Sequence, residues 1–193
     1  MFRADTTISR QARTSCSLIT VRILIAALLL LSHSVSAPAA EDTEAQYRVK
    51  AAFIYNFARF TSWPAHDGSE FRLCILGTDP LGKSLDALIG KQVHQESVTI
   101  IRLEYASTLD QCELVYIASS YSDQLAEVIS QLEQQAILTV SDIDAFIDHG
   151  GIIGFRIIDN RIRFEINASA ATKAGLTISS RLLSLASRVR MDR

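Results

Sequence analysis

The residues most suggestive of chemistry lie in the segment 77–84, which reads GTDPLGKS and matches the phosphate-binding pattern G-x-x-x-x-G-K-[ST] letter by letter. In that pattern, backbone N–H groups surround the phosphates of a nucleoside triphosphate and the lysine balances their charge. Pro80 removes one of these donors, and Asp79 places a negative charge where phosphate would lie. The apolar strand predicted at 113–118 also lacks a following acid to hold magnesium. We therefore predict a strand-to-helix turn without bound nucleotide.

Other residues able to catalyse a reaction or bind a metal are scattered along the chain. Three histidines lie far apart, and none has metal-ligand spacing with another donor: His66, His94 and His149. Three aspartates could indicate calcium, although helix-end positions would explain two of them: Asp142, Asp144 and Asp148. No nucleophile with a neighbouring base stands out. We therefore expect no catalytic residue, no metal site and no cofactor.

The first 39 residues are expected to be a cleaved signal peptide. Four arginines precede a run of nine apolar residues at 23–31, and small residues follow. Nine apolar residues are too few to span a bilayer, so the pattern indicates a secretory signal. Cleavage is expected after Ala39, with Ala37 at position −3. The product, residues 40–193, would be a single secreted domain with no membrane span.

The charge of this product excludes some partners. It keeps 15 of the 19 basic and 20 of the 21 acidic residues, which is a formal net charge of −5. Nucleic acid and anionic membrane surfaces attract basic proteins, so neither is an expected partner.

Two cysteines remain in the product, Cys74 and Cys112. In an oxidising compartment, an isolated even pair most simply indicates one disulfide bond. Two buried free thiols are the alternative.

The elements around these residues alternate between strand and helix. Apolar strands are predicted at 71–76, 98–103, 113–118 and 137–140, and a last helix is predicted from Ser179 to Arg190. This alternation predicts the α/β class: a single-domain layered sandwich with a mostly parallel sheet, flanked by helices, and a C-terminal antiparallel hairpin.

The first helix is predicted at 44–61 and carries apolar side chains around most of its circumference. Val49, Phe53, Phe57 and Phe60 form one stripe on it. Such a helix is either buried on most of its surface or contacts a partner.

The segment 137–167 contains the strongest local signals. Ser141 and Asp144 are predicted to cap a helical turn that Gly150 ends. Two apolar runs then flank Asp159-Asn160, both of which tolerate positive φ, so a two-residue hairpin turn is predicted.

The register of this hairpin separates its side chains by face. It pairs Phe155 with Phe164 and Arg156 with Arg163. One face of the hairpin is then entirely apolar, with Ile153, Phe155, Ile157, Ile162, Phe164 and Ile166. The other face carries four charged residues: Arg156, Arg161, Arg163 and Glu165. Because like charges directly opposite each other are unfavourable, the three arginines are a candidate partner-binding patch. The alternative is a solvated face on which screening makes the repulsion trivial.

Several motifs resemble those of the YfiR family of bacterial periplasmic proteins. They are AAFIYNF at 51–57 with Phe60 and Trp63-Pro64, GTDP at 77–80, VSD at 140–142, Gly150-Gly151, Phe155, RFEIN at 163–167, and Gly175-Leu176 with SSRLL at 179–183. The resemblance implies a periplasmic repressor that binds the periplasmic domain of an inner-membrane diguanylate cyclase and holds the enzyme inactive. It also implies release by an outer-membrane lipoprotein that sequesters the repressor, which raises cyclic di-GMP and biofilm formation.

Two functional hypotheses follow from the residues and the resemblance. The first is a regulatory protein-binding module that is not an enzyme, with a homodimer left open. The second is a periplasmic small-ligand-binding protein or hydrolase whose site lies at the C-terminal ends of the strands. A concave polar pocket at that edge of the sheet would favour the second hypothesis.

Overall fold

The computed structural model describes residues 39–64 and 69–191, with side chains from residue 43 onward. His66 lies outside these residues, and so does the predicted signal peptide except for its last residue, Ala39. The α-helices are α1 (Ala39–Arg59), α2 (Lys83–Asp86), α3 (Leu125–Leu132), α4 (Ala168–Lys173) and α5 (Ser180–Leu185). Two short 3₁₀ helices cover Ala106–Gln111 and Ser119–Gln124. Among the helices described, none is both long and apolar enough to cross a membrane.

The strands form one large sheet and one small one. They are β1 (Thr61–Ser62), β2 (Glu70–Leu76), β3 (Gln92–Val93), β4 (Glu96–Leu103), β5 (Leu114–Ile117), β6 (Leu138–Ser141), β7 (Ile153–Ile158), β8 (Arg161–Asn167), β9 (Thr177–Ile178) and β10 (Arg188–Arg190). The large sheet has the order β10-β8-β7-β6-β5-β2-β4-β3, and β1 pairs with β9. Its five central strands, β7, β6, β5, β2 and β4, are parallel, whereas β8 is antiparallel to β7. The predicted fold class is confirmed.

Both faces of the large sheet are covered. Along β2, Leu73 and Ile75 point into a core shared with α1 and α2, whereas Cys74 and Leu76 point into a second core shared with α3. The connection from β2 to β4, which contains α2, therefore crosses one face of the sheet, and the connection from β5 to β6, which contains α3, crosses the other face. Strand order reverses between β2 and β5, which is the place where open α/β sheets usually bind their ligands.

The hairpin has the predicted register. Phe155 pairs with Phe164 and Arg156 with Arg163, and Asp159 and Asn160 both have positive φ, at 50° and 56°. Phe155 and Phe164 are buried, but Ile157 is 64% exposed. The turn end of the hairpin therefore extends beyond the core, which the alternation of side chains could not indicate.

Helix α1 packs on the core with most of the predicted stripe, but not with Val49. Lys50, Ile54 and Phe57 are buried, whereas Val49 is 44% exposed. The buried residues follow the spacing i, i+4, i+7 of a helix with one face on the core. Including Val49 in the core stripe was wrong, because its neighbour Lys50 takes the inward position.

The segment after β6 is a series of turns, and the predicted capped helical turn is wrong. The Ser141 hydroxyl accepts a hydrogen bond from the Ile143 N–H and donates one to the Ile117 carbonyl, so it joins the loop to β5. Gly150 has a φ of +94°, as predicted for a left-handed position. Gly151 is required for a different reason, because a Cβ there would overlap the ring of Phe146.

The predicted last helix is shorter than expected. Ser179 caps α5 as predicted, with its hydroxyl accepting a hydrogen bond from the Leu182 N–H at 3.2 Å, but the helix ends at Leu185. Residues 188–190 instead form β10, which pairs in parallel with β8. Arg188 and Arg190, which the apolar spacing would place in the last turn of a helix, therefore lie in a strand and do not interact with a helix dipole. Residues 188–190 pair with β8 instead of forming the last turn of the helix. Local spacing could not indicate this pairing, because β8 is distant in sequence.

Candidate functional site

The switch point between β2 and β5 is filled by the protein's own groups. The Thr78 N–H donates to the Ser120 hydroxyl at 3.0 Å. One carboxylate oxygen of Asp79 accepts from the N–H groups of Leu81 and Gly82, at 2.7 and 3.0 Å. The other oxygen accepts from the Arg102 guanidinium at 2.9 Å. Asp79 thus occupies the donors that a phosphate would need, which supports the interpretation of 77–84 as a structural turn.

A cavity of about 370 Å³ lies at the opposite edge of the sheet. Ile137 and Ile152, which immediately precede β6 and β7, line it together with charged residues of both signs, among them Asp148 and Arg190. The hydrogen bond from Arg188 lowers the pKa of the Asp148 carboxyl, so this group is already engaged by the protein. The cavity is at the amino ends of the parallel strands, whereas the ligand-binding hypothesis expected a pocket at their carboxyl ends.

The described histidines, which the sequence left without a metal-ligand spacing, do not lie together in the structure. The His94 ring lies 2.7 Å from the Thr61 carbonyl, and His149 is part of the lining of the 370 Å³ cavity. Within the part of the chain that the structure describes, no group of three or more His, Cys, Asp or Glu side chains could hold a metal ion.

The two cysteines form a disulfide bond, Cys74–Cys112, with their Cα atoms 6.0 Å apart. The bond joins β2 to the segment that enters β5, and both cysteines are buried. The prediction of one disulfide is therefore confirmed, and the alternative of two free thiols is wrong.

The three candidate arginines lie at the exposed end of the hairpin and have different surroundings. Arg156 forms an ion pair with Asp144 at 2.8 Å, and the Asp144 side chain is 98% exposed. In residues 39–64 and 69–191, the structure gives Arg161 and Arg163 no side-chain hydrogen bond or ion pair. We call residues 156–163 the hairpin tip. Its positive charge is only partly balanced by the protein.

The fourth charged residue of this face, Glu165, is engaged by the C-terminal strand. Arg188 contacts Glu165 at 3.0 Å and Asp148 at 2.7 Å. These hydrogen bonds raise the pKa of Arg188 above its ordinary value. Glu165 therefore belongs to a cluster at β10, and the hairpin tip keeps its excess of positive charge.

A second cavity, of about 260 Å³, opens beside the hairpin tip at the carboxyl end of β6, the edge of the sheet at which the ligand-binding hypothesis expected a polar pocket. Its lining combines two ion pairs with an apolar wall: Lys50, Asp142, Asp144, Phe155, Arg156, Ile157 and Ile162. Lys50 contacts Asp142 at 2.7 Å and is largely buried, so this pair joins α1 to the loop after β6. Burial and, secondly, the charge of Asp142 raise the pKa of the nearby Tyr116 hydroxyl.

Sequence reasoning missed Lys50, Asp142 and Asp144 as part of this surface. A signal existed for Lys50, because a lysine on the inward side of an apolar helix requires an acidic partner. The identity of that partner was not predictable, since Asp142 is 92 residues away in the chain.

The comparisons with known proteins identify a family. The model of the family described as DUF4154, YfiR/HmsC-like, matches residues 47–187. A solved structure of a conserved domain protein from Vibrio cholerae O1 biovar eltor str. N16961 is similar over 75% of this chain, with 10% sequence identity and a TM-score of 0.49. The match spans 60% of the length of that protein.

Proposed function

The chain belongs to the YfiR/HmsC-like family, and we propose that it is a periplasmic regulatory protein that holds an inner-membrane diguanylate cyclase inactive by binding its periplasmic domain. An outer-membrane lipoprotein would release the cyclase by sequestering this protein, so that cyclic di-GMP and biofilm formation rise. The match over residues 47–187 is the observation that carries this proposal. The crevice at the switch point, which is filled by Asp79 and Ser120, favours a binding role over turnover of a small ligand.

The hairpin tip is the surface that we assign to the cyclase. Exposed isoleucines and three guanidinium groups lie together there, on a product whose formal net charge is −5. Apolar groups surrounded by arginine are typical of the central part of protein interfaces. A homodimer through the same surface is the alternative assignment.

A pull-down tests the proposed binding directly. The protein beginning at Ala40, immobilised and exposed to detergent-solubilised inner membranes, is expected to retain a diguanylate cyclase. Retention of the separately purified periplasmic domain of that cyclase would show that the contact is direct. If no cyclase is retained from membranes in which one is demonstrably expressed, the proposed function is wrong.

Deleting the gene is expected to raise intracellular cyclic di-GMP and surface attachment, because the cyclase loses its repressor. The measurements are quantification of cyclic di-GMP by mass spectrometry and a crystal-violet attachment assay. A strain that also lacks the cyclase is the control, and it should show no rise. Unchanged cyclic di-GMP in the single deletion, with the cyclase present, would contradict the proposal.

Reversing two charges, Arg156→Glu together with Arg163→Glu, is expected to weaken binding to the cyclase domain by about ten-fold or more and to reduce its salt dependence. The melting temperature should remain nearly unchanged, because neither side chain is part of the core. Isothermal titration calorimetry at low and high salt measures the effect.

The matched control for this double variant is Lys83→Glu with Lys91→Glu. It changes the net charge equally, and its exposed lysines lie near β3 and β4, at the opposite edge of the sheet. This control should bind like the wild type. If both double variants lose the same affinity, net charge rather than the hairpin tip determines binding.

A further inference from the structure

We propose that the hairpin tip and the 260 Å³ cavity beside it dock a protein segment that presents an apolar side chain next to a carboxylate, and that Asp144 competes with this carboxylate for Arg156. Only the identity of the partner rests on the proposed function. The chemistry of the docked segment follows from the surface itself, in three steps.

The cavity provides the position for the apolar side chain. Phe155, Ile157 and Ile162 form its wall, and Ile157 is 64% exposed although it lies on the inward face of the hairpin. The neighbouring Ile158 is 42% exposed on the other face. At about 260 Å³, the cavity is smaller than the roughly 300–1,000 Å³ of typical small-molecule pockets. It suits one side chain of a docked protein better than a metabolite.

The arginines of the tip define the charge of the docked segment. Arg156 and Arg163 lie directly opposite each other, and Arg161 is next to the turn. Of these, Arg156 alone has an acidic partner among the residues described by the structure. Carboxylates are the complement of guanidinium groups, with which they form paired hydrogen bonds. The occupant is therefore an acidic protein segment.

The contact with Asp144 shows that Arg156 binds a carboxylate and that this carboxylate can be exchanged easily. Its carboxylate lies 2.8 Å from the Arg156 guanidinium, but its side chain is 98% exposed. Exposed ion pairs contribute little to stability, so a carboxylate held by a surrounding interface can replace this one. Lys50 and Asp142 line the same cavity, but their pair is largely buried and is expected to persist. Asp144 thus acts as an internal competitor.

Two variants test the two halves of this docking surface. Asp144→Asn removes the competing charge and is expected to raise affinity about two- to five-fold, the range of an exposed ion pair. Ile157→Ser removes the apolar contact and is expected to lower affinity about ten-fold or more, with an unchanged melting temperature. Each has a matched control at a distance from the tip. Asp86→Asn also removes an exposed ion pair, with Arg102, and Ile89→Ser also removes an exposed isoleucine.

Two probes separate this proposal from the proposed function. The first is the periplasmic domain of the cyclase, measured by calorimetry. The second is the peptide acetyl-Gly-Leu-Asp-Glu-Gly-amide, compared with its Asn-Gln counterpart by NMR titration of the ¹⁵N-labelled protein. Amide shifts from the acidic peptide should concentrate at 142–144 and 155–163, grow in Asp144→Asn and vanish in Ile157→Ser.

Each outcome decides one of the two proposals. If the peptide binds at the tip and the cyclase domain does not bind, the proposed function fails and the docking chemistry is supported. If the cyclase domain binds both variants like the wild type, or the acidic and neutral peptides shift the same amides equally, the docking proposal is overturned. It is equally overturned if Ile157→Ser only dissociates a homodimer in sedimentation experiments, because the occupant is then a second copy.

Discussion

Replacing Phe57 by alanine is expected to lower the free energy of unfolding by about 3–5 kcal/mol, the range for a large buried aromatic side chain. Phe57 has no exposed surface, and its ring centroid lies 4.9 Å from that of Phe164 and 5.6 Å from that of Phe155. It therefore joins α1 to both strands of the hairpin. Urea denaturation followed by circular dichroism measures the change.

Val49→Ala is the matched control, because Val49 lies on the same helix but is 44% exposed. Its expected effect is below about 0.5 kcal/mol, as for most surface substitutions. Equal effects of the two substitutions would contradict the packing of α1 against the hairpin. The comparison also decides between the stripe predicted from sequence, which contains both residues, and the observed one.

Removing the disulfide by Cys74→Ala with Cys112→Ala is expected to lower the free energy of unfolding by about 2–5 kcal/mol. The cysteines are 38 residues apart, and closing a loop of that length in the unfolded chain corresponds to about 4 kcal/mol in the chain-entropy model. Alanine is preferable to serine here, because both positions are buried and a hydroxyl would lack a partner. Denaturation midpoints of oxidised wild type and double variant measure the difference.

A reductant provides the control for this prediction. It should destabilise the wild type to about the level of the double variant and leave the variant unchanged. Ellman's reagent should detect no thiol in the denatured, non-reduced protein that begins at Ala40. Two thiols in that sample, or equal sensitivity of both proteins to the reductant, would contradict the disulfide.

The packing of Phe57 and the disulfide bond stabilise different parts of the structure, only one of which adjoins the proposed binding surface. Phe57 holds the buried half of the hairpin against α1, and Lys50, two turns earlier on the same helix, lines the cavity beside the tip. The disulfide stabilises the centre of the sheet at β2 and β5, away from the tip. Loss of the disulfide should therefore reduce stability more than it reduces partner binding at temperatures where the protein stays folded.

The hairpin was predictable because its signals are local. Alternating apolar and charged residues specify which side chains share a face, and Asp159-Asn160 allows the positive φ of a two-residue turn. A shift of one residue would bury arginines, so the register was determined as well. The alternation of strands and helices likewise determined the α/β class, since each apolar strand must be covered on both faces.

The C-terminal segment and the surroundings of the arginines were decided by tertiary structure. Apolar spacing after Ser179 predicts a helix up to Arg190, but pairing with β8 places residues 188–190 in a strand. The sequence likewise determined that Arg156 and Arg163 face each other. That Asp144 neutralises Arg156, and that Arg188 engages Glu165, depends on loops and a strand brought together by folding. Local sequence determines which face a side chain occupies, whereas its partner depends on contacts between segments that are distant in the chain.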